Sequence, residues 1–316
     1  MIAVGIDLGG TNVKTAIVDF NDGFIKMHSF PTQAEKGKEF VLDNIAGEIK
    51  KLLSDGSYSP IGIGMGMPGM VTLDRKSVKN PPNLPGWKVE NVADEMTKRT
   101  GLPCVIENDA NLAALGSSTF GVGKNFSDFI MVTLGTGVGG GIIIKNKIYR
   151  GSTGAAGELG HVIIDYHGPL SNSNTRGGIE AYLGQRFLSR FAADMIRQFP
   201  ENQLYKKFSE NFDALEPVDL SVAADNGNKL AIEILKKSGQ KLGYAIVNYV
   251  HILDIRKIVV SGGVAKAGKL LLNPAAETAK ALLMPPFLDD FEIIYESLGN
   301  EAAILGAASL AFEELS

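Results

Sequence analysis

Two stretches of this chain follow one plan. Ile2-Ala3-Val4-Gly5-Ile6-Asp7-Leu8 runs into Gly9-Gly10-Thr11 and resumes as an apolar run from Val13 to Val18, while Phe129 to Leu134 runs into Gly135-Thr136-Gly137 and resumes from Val138 to Ile144. Each reads as strand, Gly/Thr turn, strand, and Asn21-Asp22-Gly23 and Lys145-Asn146-Lys147 close them as hairpin turns do. A sheet begun twice predicts an α/β protein with two lobes on similar sheets, each presenting one Gly/Thr loop. The first segment is not the dinucleotide fingerprint, because a strand rather than a helix follows its turn.

The loops carry chemistry as well as geometry. Gly9 and Gly10 let backbone approach a ligand closely, Thr11 offers a hydroxyl and Lys14 a positive charge, a combination suited to phosphate oxygens. Asp7 can hold a hydrated Mg²⁺. An ordinary Gly-rich hairpin with an exposed Asp accounts better for this segment taken alone. Paired with Thr136 and Gly137 across a cleft, however, it makes a clamp for nucleotide phosphates, which points to ATP. Lys257 to Ser261 is a further strand entering a glycine turn, and Gly262-Gly263 can lie against the adenosine portion of the nucleotide.

Between the loops, Phe40, Val41, Ile45, Ile49, Leu52 and Leu53 recur at helical spacing, and Gly56 to Pro60 break the pattern. Ile61 to Met67 alternates with glycines that suggest close packing and ends in Pro68-Gly69. A proline-rich loop around Asn83 and Trp87 can line a pocket, although core packing explains Trp87 equally well. Pro103 to Leu115 reads as strand, polar turn, helix, which places Asp109 at the carboxyl end of a strand as a candidate catalytic base. Helix capping by Asn108 or Asp109 is the competing reading. Glu158 and His161, three apart beside glycines, and Glu180 farther on are the sort of polar groups that fix sugar hydroxyls, although a satisfied surface histidine is the default reading of His161 taken alone. Helices are expected from Arg176 to about Phe199 and from 229 to 253, with a helical excursion at 201–217. A late strand at 291–294 and an Ala-rich terminal helix end the chain.

Composition narrows the class. With 316 residues and 45% hydrophobic composition the chain exceeds the usual single-core size, so two domains are expected. Its net charge of -4, evenly interspersed, leaves no footprint for nucleic acid or anionic membrane and favours a small soluble substrate. Cys104 is the only cysteine, which fits a reducing cytoplasm, and no leader or membrane-spanning run is apparent.

In this order, the motifs resemble the ROK family of bacterial sugar kinases, within the actin-like ATPase superfamily, over essentially the whole chain. Asp7-Leu8-Gly9-Gly10-Thr11 is similar to its first phosphate loop, Leu134-Gly135-Thr136-Gly137 to its second and Gly262-Gly263-Val264 to its adenosine segment. Glu107-Asn108-Asp109-Ala110-Asn111 resembles the segment with its catalytic aspartate, and Gly157-Glu158-Leu159-Gly160-His161 and Glu180 resemble its sugar-binding positions. The resemblance implies two ribonuclease-H-like lobes with a cleft between them: a small lobe of 1–112, with helix 301–316 returning to it, and a large lobe of 113–300. It implies ATP-dependent phosphorylation of a hexose, above all glucose to glucose 6-phosphate, with Asp109 as base. Asn108, Glu158, His161 and Glu180 would orient the sugar, with Gly69 and Asn83 as further pocket residues. Mg²⁺ held by Asp7 through water, a homodimer and a cytoplasmic setting complete the picture.

One departure stands out. Family members carry a histidine followed by Cys-x-Cys-Gly-x-x-Gly-Cys-x-Glu, whose histidine and three cysteines bind structural zinc, and the cysteine positions here hold Ser171, Ser173 and Gly178. Hydroxyls and a glycine cannot replace thiolates, so no structural zinc is expected, and Arg176 or tighter loop packing must hold the 165–180 loop instead. Fructose, mannose, allose and N-acetylhexosamines remain alternative substrates. A non-catalytic sugar-binding regulator is the alternative class, although the family's repressors carry a helix-turn-helix before the first loop, which here starts within ten residues of Met1.

Overall fold

The computed structural model describes residues 1–54 and 56–316. Its strands are β1 (Ile2–Leu8), β2 (Asn12–Asp19), β3 (Gly23–Pro31), β4 (Ile63–Met67), β5 (Cys104–Asn108), β6 (Phe129–Leu134), β7 (Val138–Ile144), β8 (Lys147–Ile148), β9 (Lys257–Ser261) and β10 (Glu292–Tyr295). They form two five-stranded sheets in the orders β3-β2-β1-β4-β5 and β8-β7-β6-β9-β10, the same topology twice. In the first, β1 to β3 form an antiparallel meander and β4 and β5 join parallel to β1. In the second, β9 lies parallel to both β6 and β10, and β7 pairs antiparallel with β8. Short strands at Met70–Val71, Ser77–Lys79 and Val89–Asn91 make a third sheet that the sequence pattern did not announce.

The helices are α1 (Lys38–Leu52), α2 (Val92–Thr100), α3 (Asp109–Phe120), α4 (Glu180–Leu183), α5 (Gln185–Ile196), α6 (Gln203–Phe208), α7 (Pro217–Asp225), α8 (Lys229–Leu253), α9 (Lys269–Leu282) and α10 (Ala302–Glu314). Helix α1 buries Val41, Leu42, Ile45, Ala46 and Ile49 along one face, in a core shared with Val4, Ile6, Ile63 and Met65 of the first sheet. Trp87 belongs to that same core, so packing is its role. The helix expected from Arg176 to Phe199 is interrupted. Arg176 and Gly178 form β-bridges with Leu170 and Ile163, and helical structure starts at Glu180. Gly184 then breaks it with an extended backbone, ψ 139°, where a Cβ would meet the carbonyl oxygens of Glu180 at 3.0 Å and Thr136 at 3.2 Å.

The chain divides into two compact units, one of Met1–Ser127, Gly141–Gly157 and Asn300–Ser316, the other of Asp128–Gly140 and Glu158–Gly299. The expected boundary after 112 falls inside α3, all of which belongs to the first unit. Helix α10 is seated on the first sheet through glycines: a Cβ on Gly5 would stand 2.4 Å from the Ile304 oxygen, and one on Gly64 1.7 Å from that of Ala307. Any side chain there would lift the helix off the strands.

Candidate active site

In the first unit the candidate residues collect at the carboxyl ends of β1, β4 and β5. Asp7 is in register with Gly66, and Gly66 and Met67 with Glu107 and Asn108, so these positions end the parallel strands together. That edge is where open α/β sheets bind ligands. The first loop is closed by the Gly9 N–H donating to Asn12 O at 3.0 Å and by the Thr32 hydroxyl donating to Gly9 O at 2.6 Å. Thr11 is exposed at its tip. Gly10 lies where a Cβ would come within 2.7 Å of Asn83 Cβ, which brings the 81–87 loop against the first Gly/Thr loop. Asp7 faces its cross-strand partner Lys14, carboxylate to ammonium 4.0 Å. Burial raises the Asp7 carboxyl above the usual range, with Lys14 pulling the other way.

The strand–helix junction separates capping from Asp109. Asn108 is the N-cap of α3; its Oδ1 accepts from the N–H groups of Ala110 at 2.9 Å and Asn111 at 3.2 Å, and its Nδ2 donates to Gly69 O at 3.1 Å. Asp109, the first helical residue, keeps its carboxylate exposed, with Oδ1 2.9 Å from the Ala110 N–H. Below it lies a residue to which the sequence pattern alone assigns no role. Glu107 is fully buried; one oxygen accepts from the Asn108 N–H at 2.9 Å and Asn111 Nδ2 at 3.1 Å, and the other meets Arg75 Nη1 at 2.8 Å. Arg150 Nε comes within 2.6 Å of that second oxygen, although it lacks the alignment of a hydrogen bond. Arg150 also donates to the carbonyl oxygens of Leu73 at 2.8 Å and Thr72 at 2.9 Å. Burial lowers the Arg150 pKa, and Glu107 resists that shift. The available signal was a carboxylate at the end of an apolar strand.

In the second unit Val138 is the node. Its N–H donates to Glu180 Oε2 at 3.1 Å, and its carbonyl oxygen lies where a Gly160 Cβ would be 2.1 Å away, so Glu180 and the 158–161 turn both seat on the second Gly/Thr loop. A Cβ on Gly137 would strike the same Glu180 oxygen at 2.3 Å. Thr136 is exposed, and the Gln185 N–H donates to Gly135 O at 2.9 Å. The Gly262-Gly263 turn after β9 meets this loop: Gly262 has φ 100°, and a Cβ there would fall 2.3 Å from Leu134 O. Gly263 faces open space. The turn carrying Glu158 and His161 is fixed from beneath by the Tyr249 hydroxyl, which donates to Leu159 O at 2.8 Å. Glu158 Oε2 lies 3.5 Å from His161 Nε2, and Ser173 Oγ lies 3.1 Å from His161 Nδ1. The following loop is held by Arg176 Nη1 donating to Gly168 O at 3.0 Å and by the Tyr182 hydroxyl donating to Asp165 at 2.9 Å.

Two sheets of one strand order, each with a Gly/Thr turn after its first strand, define a ribonuclease-H-like protein of the actin-like ATPase class. The ROK family model matches residues 3–314, and the chain belongs to the ROK family. The glucokinase of Thermotoga maritima is 34% identical over 99% of this chain and 98% of its own length. That of Halalkalibacterium halodurans is 33% identical over 98% of this chain and 95% of its own. The crystal structure of a ROK family glucokinase from Streptomyces griseus, in complex with glucose and AMPPNP, superposes with a TM-score of 0.85 at 31% identity, covering 99% of this chain and all of that one.

Proposed function

We propose that this protein transfers the γ-phosphoryl group of ATP to the 6-hydroxyl of glucose. The observation that carries the reading is the exposed Asp109 carboxylate at the start of α3, fixed by the Asn108 cap and the buried Glu107 beneath it, in a chain akin to glucokinases along its length. Asp109 accepts the proton as the sugar oxygen attacks phosphorus in line; the bond to the β-phosphate oxygen breaks and ADP leaves. Such transfer rests on positioning and charge stabilisation more than on basicity. Thr11, Thr136 and the N–H groups around Gly9, Gly10 and Gly137 hold phosphates, aided by Lys14, and Gly262-Gly263 takes the adenosine. Asn108, Glu158, His161 and Glu180 orient the sugar, with Gly69 and Asn83 at its edge.

Among the described residues no group of three or more His, Cys, Asp and Glu side chains could hold a metal. Asp7, a partly exposed carboxylate at the carboxyl end of β1 beside the first Gly/Thr loop, would hold a Mg²⁺ ion through its water shell. Mg²⁺ when bound neutralises charge on the phosphates. We infer a homodimer, which light scattering on the purified chain tests, and a cytoplasmic setting, with which the single, buried, unpaired cysteine agrees. No helix among the described residues is long and apolar enough to cross a membrane.

The deciding assay is ADP release over a panel of hexoses, with the product's phosphate position read by NMR. Glucose should give the highest kcat/KM, and Asp109→Asn should cut kcat by about 10²–10⁴ while glucose still binds. Near-normal turnover in that variant would remove Asp109 from the chemistry, and a better hexose than glucose would reassign the substrate.

A further inference from the structure

The residues that replace the family's zinc ligands form a hydrogen-bonded chain that ends on His161. Ser171 Oγ lies 2.8 Å from Ser173 Oγ, which lies 3.1 Å from His161 Nδ1, and the Thr175 N–H donates to Ser171 Oγ at 3.2 Å. The loop also closes on itself, the Ser171 N–H donating to Thr175 O at 2.9 Å and the Asn174 N–H to Ser171 O at 3.1 Å. Where the third cysteine would be, a Cβ on Gly178 would have Gly160 O at 3.2 Å and the Thr175 methyl at 3.3 Å, so that position packs rather than ligates. Two hydroxyls and a glycine do not fit zinc.

We propose that Ser171 and Ser173 form a one-way hydroxyl relay that fixes His161 as the Nε2–H tautomer and sets its ring angle, in place of a metal. Two observations set the direction. Ser171 is buried and already accepts from Thr175, so its own proton has a use only if it donates to Ser173. In the opposite sense Ser171 would accept twice and donate to no partner in this loop, the costly state for a buried hydroxyl. Ser173 then donates to Nδ1, more closely than to the Thr175 hydroxyl at 3.4 Å. The far side of the ring agrees: Nε2 faces the Glu158 carboxylate at 3.5 Å, where an N–H is attracted and a bare lone pair repelled. An Nε2–H of fixed direction is a donor for one sugar oxygen. Ser173 acts only through His161, so it is a positioning residue, and its role rests on the sugar-kinase reading above.

The full-length protein labelled with ¹⁵N-histidine tests the relay directly. It has four histidines, and His161→Gln identifies the signals of His161 by their loss. Two-bond ¹H–¹⁵N spectra should show His161 as the Nε2–H tautomer in the parent and as a mixture in Ser173→Ala, with Ser173→Thr restoring the parent pattern. Kinetically, Ser173→Ala should raise the glucose KM about two- to tenfold, as for the loss of one hydrogen bond, and leave the ATP KM in place. An Nδ1–H tautomer in the parent, or spectra unchanged in Ser173→Ala, would overturn the relay whatever the enzyme does. A glucose KM unmoved by His161→Gln would instead overturn the sugar role of this histidine, a failure that the spectra keep separate.

Discussion

Glu107 is a carboxylate that water does not reach, so its charge is tolerable only while Arg75 and Arg150 face it. Removing that charge leaves two neighbouring guanidinium groups with only the half-exposed Glu314, 3.3 Å from Arg75 Nε, to offset them. Glu107→Gln should therefore cost about 3–5 kcal/mol, read as a lower urea midpoint at unchanged m-value, and should lower kcat because Asn108 loses its support. A midpoint within error of the parent would show that the arginines find other partners. Asp7 works the other way. Burial raises its carboxyl pKa against the pull of Lys14, so the folded chain holds that proton more tightly than the unfolded chain, where the value is about 3.9. Stability is thus lost as pH rises from the unfolded value through the raised folded one, and the deficit is complete above it. Asp7→Asn should melt above the parent at neutral pH, with the gap closing as pH falls below about 3.9. A gap that is independent of pH, or of opposite sign, would refute burial as the cause. The variant should also lose activity, since the charge disfavoured without ligand is the one offered to Mg²⁺.

At the scale of elements, helix crossings in the first unit depend on missing side chains. Gly116 of α3 and Gly306 of α10 face each other: a Cβ on the first would lie 2.0 Å from Ala302 O, and one on the second 1.8 Å from Leu112 O. Both obstacles are backbone, which cannot swing aside, and Leu112, Leu115, Ala307 and Leu310 fill the seam around them. Gly306→Val should destabilise by at least the roughly 1–3 kcal/mol typical of overpacked cores, whereas Ala303→Val, at a less buried position of the same helix, should cost much less. Equal melting temperatures for the two variants would mean that α10 can shift. Part of this was legible beforehand. Alternating glycines through Ile61 to Met67 signalled close packing, and strand β4 and its overlying helix supply it. The break between α4 and α5 was not, because Gly184 is extended to suit the second Gly/Thr loop, a contact no local pattern encodes.

For the whole molecule, the repeated strand–turn–strand pattern carried the fold, since hairpins and Gly/Thr turns are written in neighbouring residues, and the two sheets share one strand order. What stayed hidden are pairings between distant segments: Glu107 with Arg75 and Arg150, and Glu180 with Val138. In these, the sequence offers the charged group and only folding supplies its partner. The expected role of Asp109 concerns chemistry and that of Glu158, His161 and Glu180 concerns binding, and stability measurements separate the two. A ligand that binds only the folded chain stabilises it by about 2.7 kcal/mol at one hundred times its dissociation constant. Saturating glucose should therefore raise the melting temperature by several degrees. Asp109→Asn should retain that rise while losing turnover; Glu180→Ala should lose both, having also freed the Val138 N–H that Glu180 now accepts. Ranked by thermal shift, the hexoses should follow the order of their kcat/KM values only if the contacts that hold the sugar also place its hydroxyl. A hexose that stabilises the chain as strongly as glucose without being phosphorylated would show that affinity and reactive placement are set by different residues.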